Sequence, residues 1–256
     1  MTLNSYIGLM MMNKWFIMLE QILQVKKWGV KMERKIFAFI GDFYHSFSTW
    51  EQVIETAVSR FEDVSLECQL PTAEGVAQAI EQNPEIIIIG AENRINPEDE
   101  VVHYWLTNEI DDKLEAYVAS GGSLLVLHSG LAFYPSDSKY RKMIKGEFLS
   151  HPPEHCEVRF FNQDNSNPIN ADKDGYDIKI IDEFYFVDVD VEETNLFLYS
   201  ECEEHDLQIA SWYHDYGDGK VSCVVPAHNA EAFELLEMQR LYRDEILYGL
   251  YRSGSL

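Results

Sequence analysis

Three histidines and a glutamate follow apolar runs in this chain, and acid–base and metal chemistry are built from such side chains. His128 closes "GGSLLVLHSG", a glycine pair followed by a short apolar run. With His128 as the turn residue, Gly130 falls two positions later, as in a strand-to-helix nucleophile elbow, although Val126 stands where that elbow has a small residue. An elbow exposes its central side chain at the rim of a sheet. A histidine there suits a general acid or base, an electrostatic stabiliser or a metal ligand. The plainer alternative is a core histidine bonded to a loop. Ser129 is a nucleophile only if a histidine and an acid activate it, and no Asp partner is identifiable. His45 lies in the loop "GDFYHSFSTW", and His228 lies in "VVPAHNAEAFE" after an apolar strand. "IIDEFYFVDVD" carries Asp182, Glu183 and Tyr185, and an acidic pair in so acidic a chain is commonly a solvated loop. Three imidazoles and a carboxylate meeting in one cleft would suit a zinc-class divalent metal, although their spacing matches no compact metal motif. His151 and His155 in "SHPPEH" and His214 in "YHDYGDG" read as surface turns.

The elements that must position these residues follow from periodicity. "KIFAFIG" reads as a strand, and "STWEQVIETAVSRFED" then puts Trp50, Val53, Ile54, Ala57, Val58 and Phe61 on one helical face. Ser48 with Glu51 is a capping-box pair at its start. "VSLECQL", "EIIIIG" and "SLLVLH" are further strands, separated by helical periods over "TAEGVAQAIEQ" and "NEIDDKLEAYVASGG". This alternation predicts an α/β fold with a doubly wound, mostly parallel sheet. Ligands of such sheets sit beyond the strand carboxyl ends, which places "GDFYHS", "GAENR" and "HSG" along one rim. After residue 150 the texture changes to a β-rich second half: "CEVRFFN", "NLFLYSE", "LQIASWYH" and "KVSCVVPA". A long helix over "AEAFELLEMQRLYRDEILYGLYR" closes the chain.

The composition, 46% apolar, supports a full hydrophobic core, and the net charge is −24. So acidic a surface repels phosphate backbones and anionic membranes, and no basic patch offsets it, which argues against nucleic-acid and membrane partners. The four dispersed cysteines, without a C-x-x-C pair, read as free thiols of a reducing, cytoplasmic compartment. Residues 1–32 are Met-rich, and their apolar run is broken by Lys14 and Glu20. They are too interrupted for a membrane span and lack the marks of a signal peptide. They are expected to be an extension, with translation starting at Met32, or else an accessory amphipathic helix; the domain proper is expected over 33–252.

Three segments in order, "GGSLLVLHSGLAFYP", "DEFYFVDV" and "IASWYHDYGDGKVSCVVPAHNAEAF", resemble the ThuA-like proteins of trehalose utilisation. The resemblance implies a flavodoxin-like fold of the class I glutamine amidotransferase type, with the amidotransferase cysteine replaced at the elbow by His128, so that glutamine hydrolysis is not expected. It implies a polar site of His45, His128, Glu183 and His228. A small-molecule carbohydrate is then the expected partner, with Ser129, Tyr185 and Trp212 as substrate-binding residues. A homo-oligomer is compatible with all of this. Two departures mark a divergent branch: Asn167 replaces the histidine of a His-Pro-Ile segment, and Ala227 precedes His228 where the family has glycine. Two rivals follow from the missing cysteine and triad: a non-catalytic carbohydrate- or partner-binding module, and a degenerate amidotransferase passing ammonia to a partner.

Overall fold

The computed structural model describes residues 33–164, 167–171 and 174–251; the expected N-terminal extension lies outside the described residues. Strand β1 (Arg34–Ile40) pairs in parallel with β3 (Ile86–Gly90), Ile36 opposite Ile86 and Ile40 opposite Gly90. β3 pairs in parallel with β4 (Ser123–Leu127), and β4 with β11 (Gly219–Val224). β2 (Val64–Gln69) lies at the edge beside β1. Ile86–Ile89 are wholly buried, as expected of a β-branched run covered on both faces. Each contributes roughly 2 kcal/mol by leaving water.

The β-rich second half does not form a separate layer. Strands β10 (Gln208–Tyr216), β9 (Asn195–Glu201), β6 (Cys156–Phe161) and β7 (Asp177–Asp182) continue the same sheet as antiparallel neighbours beyond β11. The resulting nine-stranded order is β2-β1-β3-β4-β11-β10-β9-β6-β7. The fold is therefore mixed α/β, with β1, β3 and β4 early in the chain and β11, the last strand, inserted beside β4 to complete the parallel part. A short antiparallel pair, β5 (Gly146–Ser150) with β8 (Phe186–Val189), stands apart from it.

Helix α1 (Phe47–Val58) buries the apolar stripe read from the sequence, but its cap is Ser46 rather than Ser48. The Ser46 hydroxyl accepts from the Thr49 amide, while Ser48 bonds sideways to Ser46. Helix α2 (Ala73–Glu81) is capped by Thr72, and α3 (Asn108–Ala119) by Thr107. A short α4 (Lys139–Ile144) begins where Asp111 accepts from the Lys139 and Tyr140 amides. The closing segment divides into a 3-10 turn (Ala230–Glu234) and α5 (Leu236–Leu250). α5 packs on α1 and across β3, β4 and β11.

Candidate functional site

The parallel strands bring their carboxyl ends to one rim, and the site residues follow directly from them. Beyond β1, Asp42 folds its loop by accepting from the Tyr44 and His45 amides and from the His45 ring Nδ1 at 2.6 Å. Its other oxygen accepts from the Glu92 amide beyond β3, which locks the two rim loops together. His128 is the first residue after β4; it is 1% exposed and holds φ at +44°, the strained turn expected of an elbow. Gly130 lets this turn sit tight: a Cβ there would lie 2.3 Å from the Ile89 carbonyl oxygen.

The acidic pair after β7 has two separate jobs. Asp182, 1% exposed, accepts from the backbone amides of His228 and Asn229 and so fixes the loop beyond β11. Glu183 turns toward the histidines, its Oε2 lying 3.4 Å from both His128 Nε2 and His228 Nδ1. His45 Nε2 is 3.1 Å from His228 Nδ1. One ligand atom from each of His45, His128, Glu183 and His228 falls within 4.8 Å of every other.

Electrostatics assign the protons. Burial opposes ionisation of Asp42 most strongly, but the His45 ring, the Glu92 amide and the Ser129 hydroxyl together outweigh it and hold the carboxyl down to about 2. Burial likewise opposes ionisation of Glu183, yet the two neighbouring imidazoles hold it well below the usual carboxylate range. His228 is raised by Glu183, whereas burial lowers His128. Glu183 is therefore held toward its anion, His228 toward its charged form and His128 toward its neutral form. His128 Nδ1 donates to the Val225 carbonyl at 2.8 Å, so its Nε2 carries a lone pair. That lone pair faces a carboxylate oxygen at 3.4 Å, two acceptors that need a proton donor or a cation between them. The Tyr185 hydroxyl, 3.0 Å from Nε2, is one such donor.

A divalent ion is the other. A tetrahedral ion with bonds near 2.1 Å has ligand atoms about 3.4 Å apart, close to three of the six separations here, at 3.1, 3.4 and 3.4 Å, with all four atoms within 4.8 Å of one another. Two imidazoles already donate their remote N–H, His45 to Asp42 and His128 to a backbone carbonyl, as metal-bound histidines do. The residues fit a zinc-class ion.

A cavity of about 530 Å³ opens onto the centre, walled by His45, Glu183, His228 and the rings of Phe133, Phe148 and Tyr185. Ser129, 2% exposed, also lines it. Trp212 does not reach it: fully buried in β10, it donates from Nε1 to the Ile144 carbonyl and packs against Gly146. It is a core residue because β10 presents that face to the β5 segment, away from the rim. His214 is not in a surface turn either; it is buried within β10 and bonded to the Met143 carbonyl. His151 and His155 are exposed as expected, yet they stand 3.6 and 4.0 Å from Glu183 Oε1, at the mouth of the site. Asn167 turns back on the Ile169 amide. Among the dispersed cysteines, Cys156 and Cys202 are in fact neighbours beside Glu204, and burial pushes the Cys156 thiol up to about 12.

Asp42, Glu92 and Arg94 were not singled out by sequence reasoning. The one signal for Asp42 was its place three residues before His45 in a turn-prone loop, where an Asp side chain commonly bonds the backbone two or three residues on.

Comparison with known proteins gives three results. The family described as trehalose utilisation, ThuA, matches residues 55–248. No curated protein sequence matches. Among solved structures, a ThuA-like protein of Parabacteroides merdae is similar over 88% of this chain and 92% of its own, with a TM-score of 0.67 at 10% identity. One from Bacteroides uniformis is similar over 88% and 94%, with a TM-score of 0.60 at 13% identity. A β-galactosidase from Rahnella shares the fold over 84% of this chain but only 30% of its own, with a TM-score of 0.56 at 10% identity.

Proposed function

The chain belongs to the ThuA family of trehalose utilisation, and on that premise we propose that it is an enzyme acting on a sugar or sugar derivative. The observation that carries this is the convergence of His45, His128, Glu183 and His228 beneath a cavity large enough for a small carbohydrate. The sheet is best read as doubly wound and flavodoxin-like, with the elbow retained and His128 in the cysteine's place. Glutamine hydrolysis is therefore not expected, and neither is transfer of ammonia.

In the proposed enzyme the four residues hold a zinc-class divalent ion. When bound, such an ion polarises a substrate oxygen and lowers the pKa of a hydroxyl or water beside it. The chain's own contribution is the arrangement around that oxygen. Asp42 keeps the His45 proton on Nδ1, and the Val225 carbonyl keeps that of His128 on Nδ1. Both Nε2 atoms thus point their lone pairs inward. Tyr185, within hydrogen-bond distance of His128, moves a proton at its hydroxyl. The rings of Phe133 and Phe148 give the cavity an apolar side. The four free cysteines support a reducing, cytoplasmic compartment, and a homo-oligomer is compatible with this reading; no helix among the described residues is long and apolar enough to cross a membrane.

A second reading has its own support: the fold makes up under a third of a β-galactosidase, which suits a non-catalytic carbohydrate-binding module. Turnover separates the two. A panel of glycosides and ketosugars is expected to include one that the protein converts and that a His128→Ala protein does not. Conversion at an unchanged rate by His128→Ala would remove the catalytic assignment, and binding without conversion would favour the module.

A further inference from the structure

The cavity has a second polar wall, which the chemistry at His128 and Glu183 does not use. It comes from the loop after β3. Glu92 is 3% exposed, and its Oε2 accepts from Arg94 at 2.8 Å. Its Oε1 is buried with no partner among the described residues, and the same is true of the Arg94 Nε. A buried carboxylate oxygen left unbonded is costly, and native proteins rarely tolerate it unless ordered water or a ligand completes it. The Arg94 guanidinium lies over the Phe133 ring, 3.3 Å from its centroid. Glu92, Arg94 and Phe133 all line the cavity.

The loop is built to hold this pair still. Trp105 donates from Nε1 to the Glu92 carbonyl, and Asn93 bonds the Phe133 carbonyl and the Leu106 amide. Arg94 forms a β-bridge with Tyr104, and the Glu92 amide is tied to Asp42. Such support is what a recognition element needs and a solvated surface pair lacks.

We propose that Glu92 and Arg94 form a diol-binding subsite that selects a neutral, unphosphorylated sugar. One substrate hydroxyl donates to Glu92 Oε1, and its neighbour accepts from the Arg94 guanidinium. Phe133 and Phe148 offer apolar faces to the ring. At this subsite an anionic group is disfavoured, because Arg94 is already paired with Glu92 and the Glu92 carboxylate would repel it. The inference rests on the carbohydrate reading above, because it names the substrate class of the same cavity.

The test is calorimetric or NMR-detected binding to the full chain of a fixed panel: methyl glucoside, galactose, mannose, trehalose, glucose 6-phosphate and glucuronate. At least one neutral sugar is expected to bind more tightly than both anionic sugars. Glu92→Gln should weaken that binding about tenfold or more, the loss of one hydrogen bond to a charged acceptor. Arg94→Met should weaken it comparably, and it serves as the check if the Glu92 variant fails to fold. Neutral binding that is equal in the wild type and both variants overturns the subsite while the carbohydrate reading stands. If no neutral sugar binds, or an anionic one binds more tightly, the subsite and the carbohydrate reading fall together.

Discussion

Glu183 and Glu245 are both buried glutamates, and their surroundings move their protons in opposite directions. Glu183 stands at the rim among imidazoles, which keep it ionised against the cost of burial. Glu245 lies in α5 against the middle of the sheet, bonded to the Ser222 and Ser211 hydroxyls with Asp244 beside it, and burial pushes it up to about 8. Neutral hydroxyls satisfy a carboxyl without compensating its charge, whereas a cationic partner does both. The molecule thus keeps a permanent anion where a ligand enters and a protonated acid where only packing is at stake. That separates a functional carboxylate from a structural one more sharply than burial alone, since both are under 10% exposed.

The largest expected effect breaks the comparison at the rim. Glu183→Gln should lower turnover by about 10²- to 10⁴-fold, the range of a lost acid–base or ligand group, while Glu245→Gln leaves turnover within about twofold. Parallel kinetics on the converted sugar check both at once.

Stability should show the reverse pattern for Glu245. Its folded pKa is above the unfolded value of 4.5, so the native state binds the extra proton between pH 4.5 and about 8 and loses stability as pH rises through that window. Glu245→Gln removes this loss. Its melting temperature should gain on the wild type progressively from pH 5 to 8 and by a constant amount above that, as thermal scans across pH would record.

The Glu183–His228 pair should give a smaller trend. His228 is raised by Glu183, so its contribution is complete below the unfolded value of 6.5 and is lost as pH rises through the higher folded value. In the metal-free protein, the stability deficit of Glu183→Gln should therefore be greatest near pH 6 and shrink toward pH 9; a gap that widens with pH in chelator-treated protein would contradict the pairing. Least of all, Arg159→Ala breaks exposed ion pairs to Asp177 and Glu201 and should shift the melting temperature by no more than about 2–4 °C.

Much of the rim was legible in the sequence, because the buried runs ending at Ile40, Gly90 and Leu127 are unmistakable and a parallel sheet puts their ends together. The apolar strand before His228 likewise marks a loop facing the rim, whereas Glu183 reads as part of a solvated loop until the family resemblance singles it out. What escaped was long-range. Nothing local in "IIDEF" says that Asp182 clamps the His228 backbone, since that bond spans 46 residues. Trp212 and His214 sit in a strand whose alternation shows two faces but not which one meets the site. The orphaned Glu92 oxygen is invisible without its surroundings.

The most direct measurement is elemental analysis of the untagged full chain beside the same protein carrying His128→Ala. The account predicts close to one zinc-class ion per wild-type chain and its loss in the variant. A wild-type protein free of bound metal even after incubation with zinc or manganese would contradict it. The four converging side chains would then be a hydrogen-bonded cluster that takes no ion.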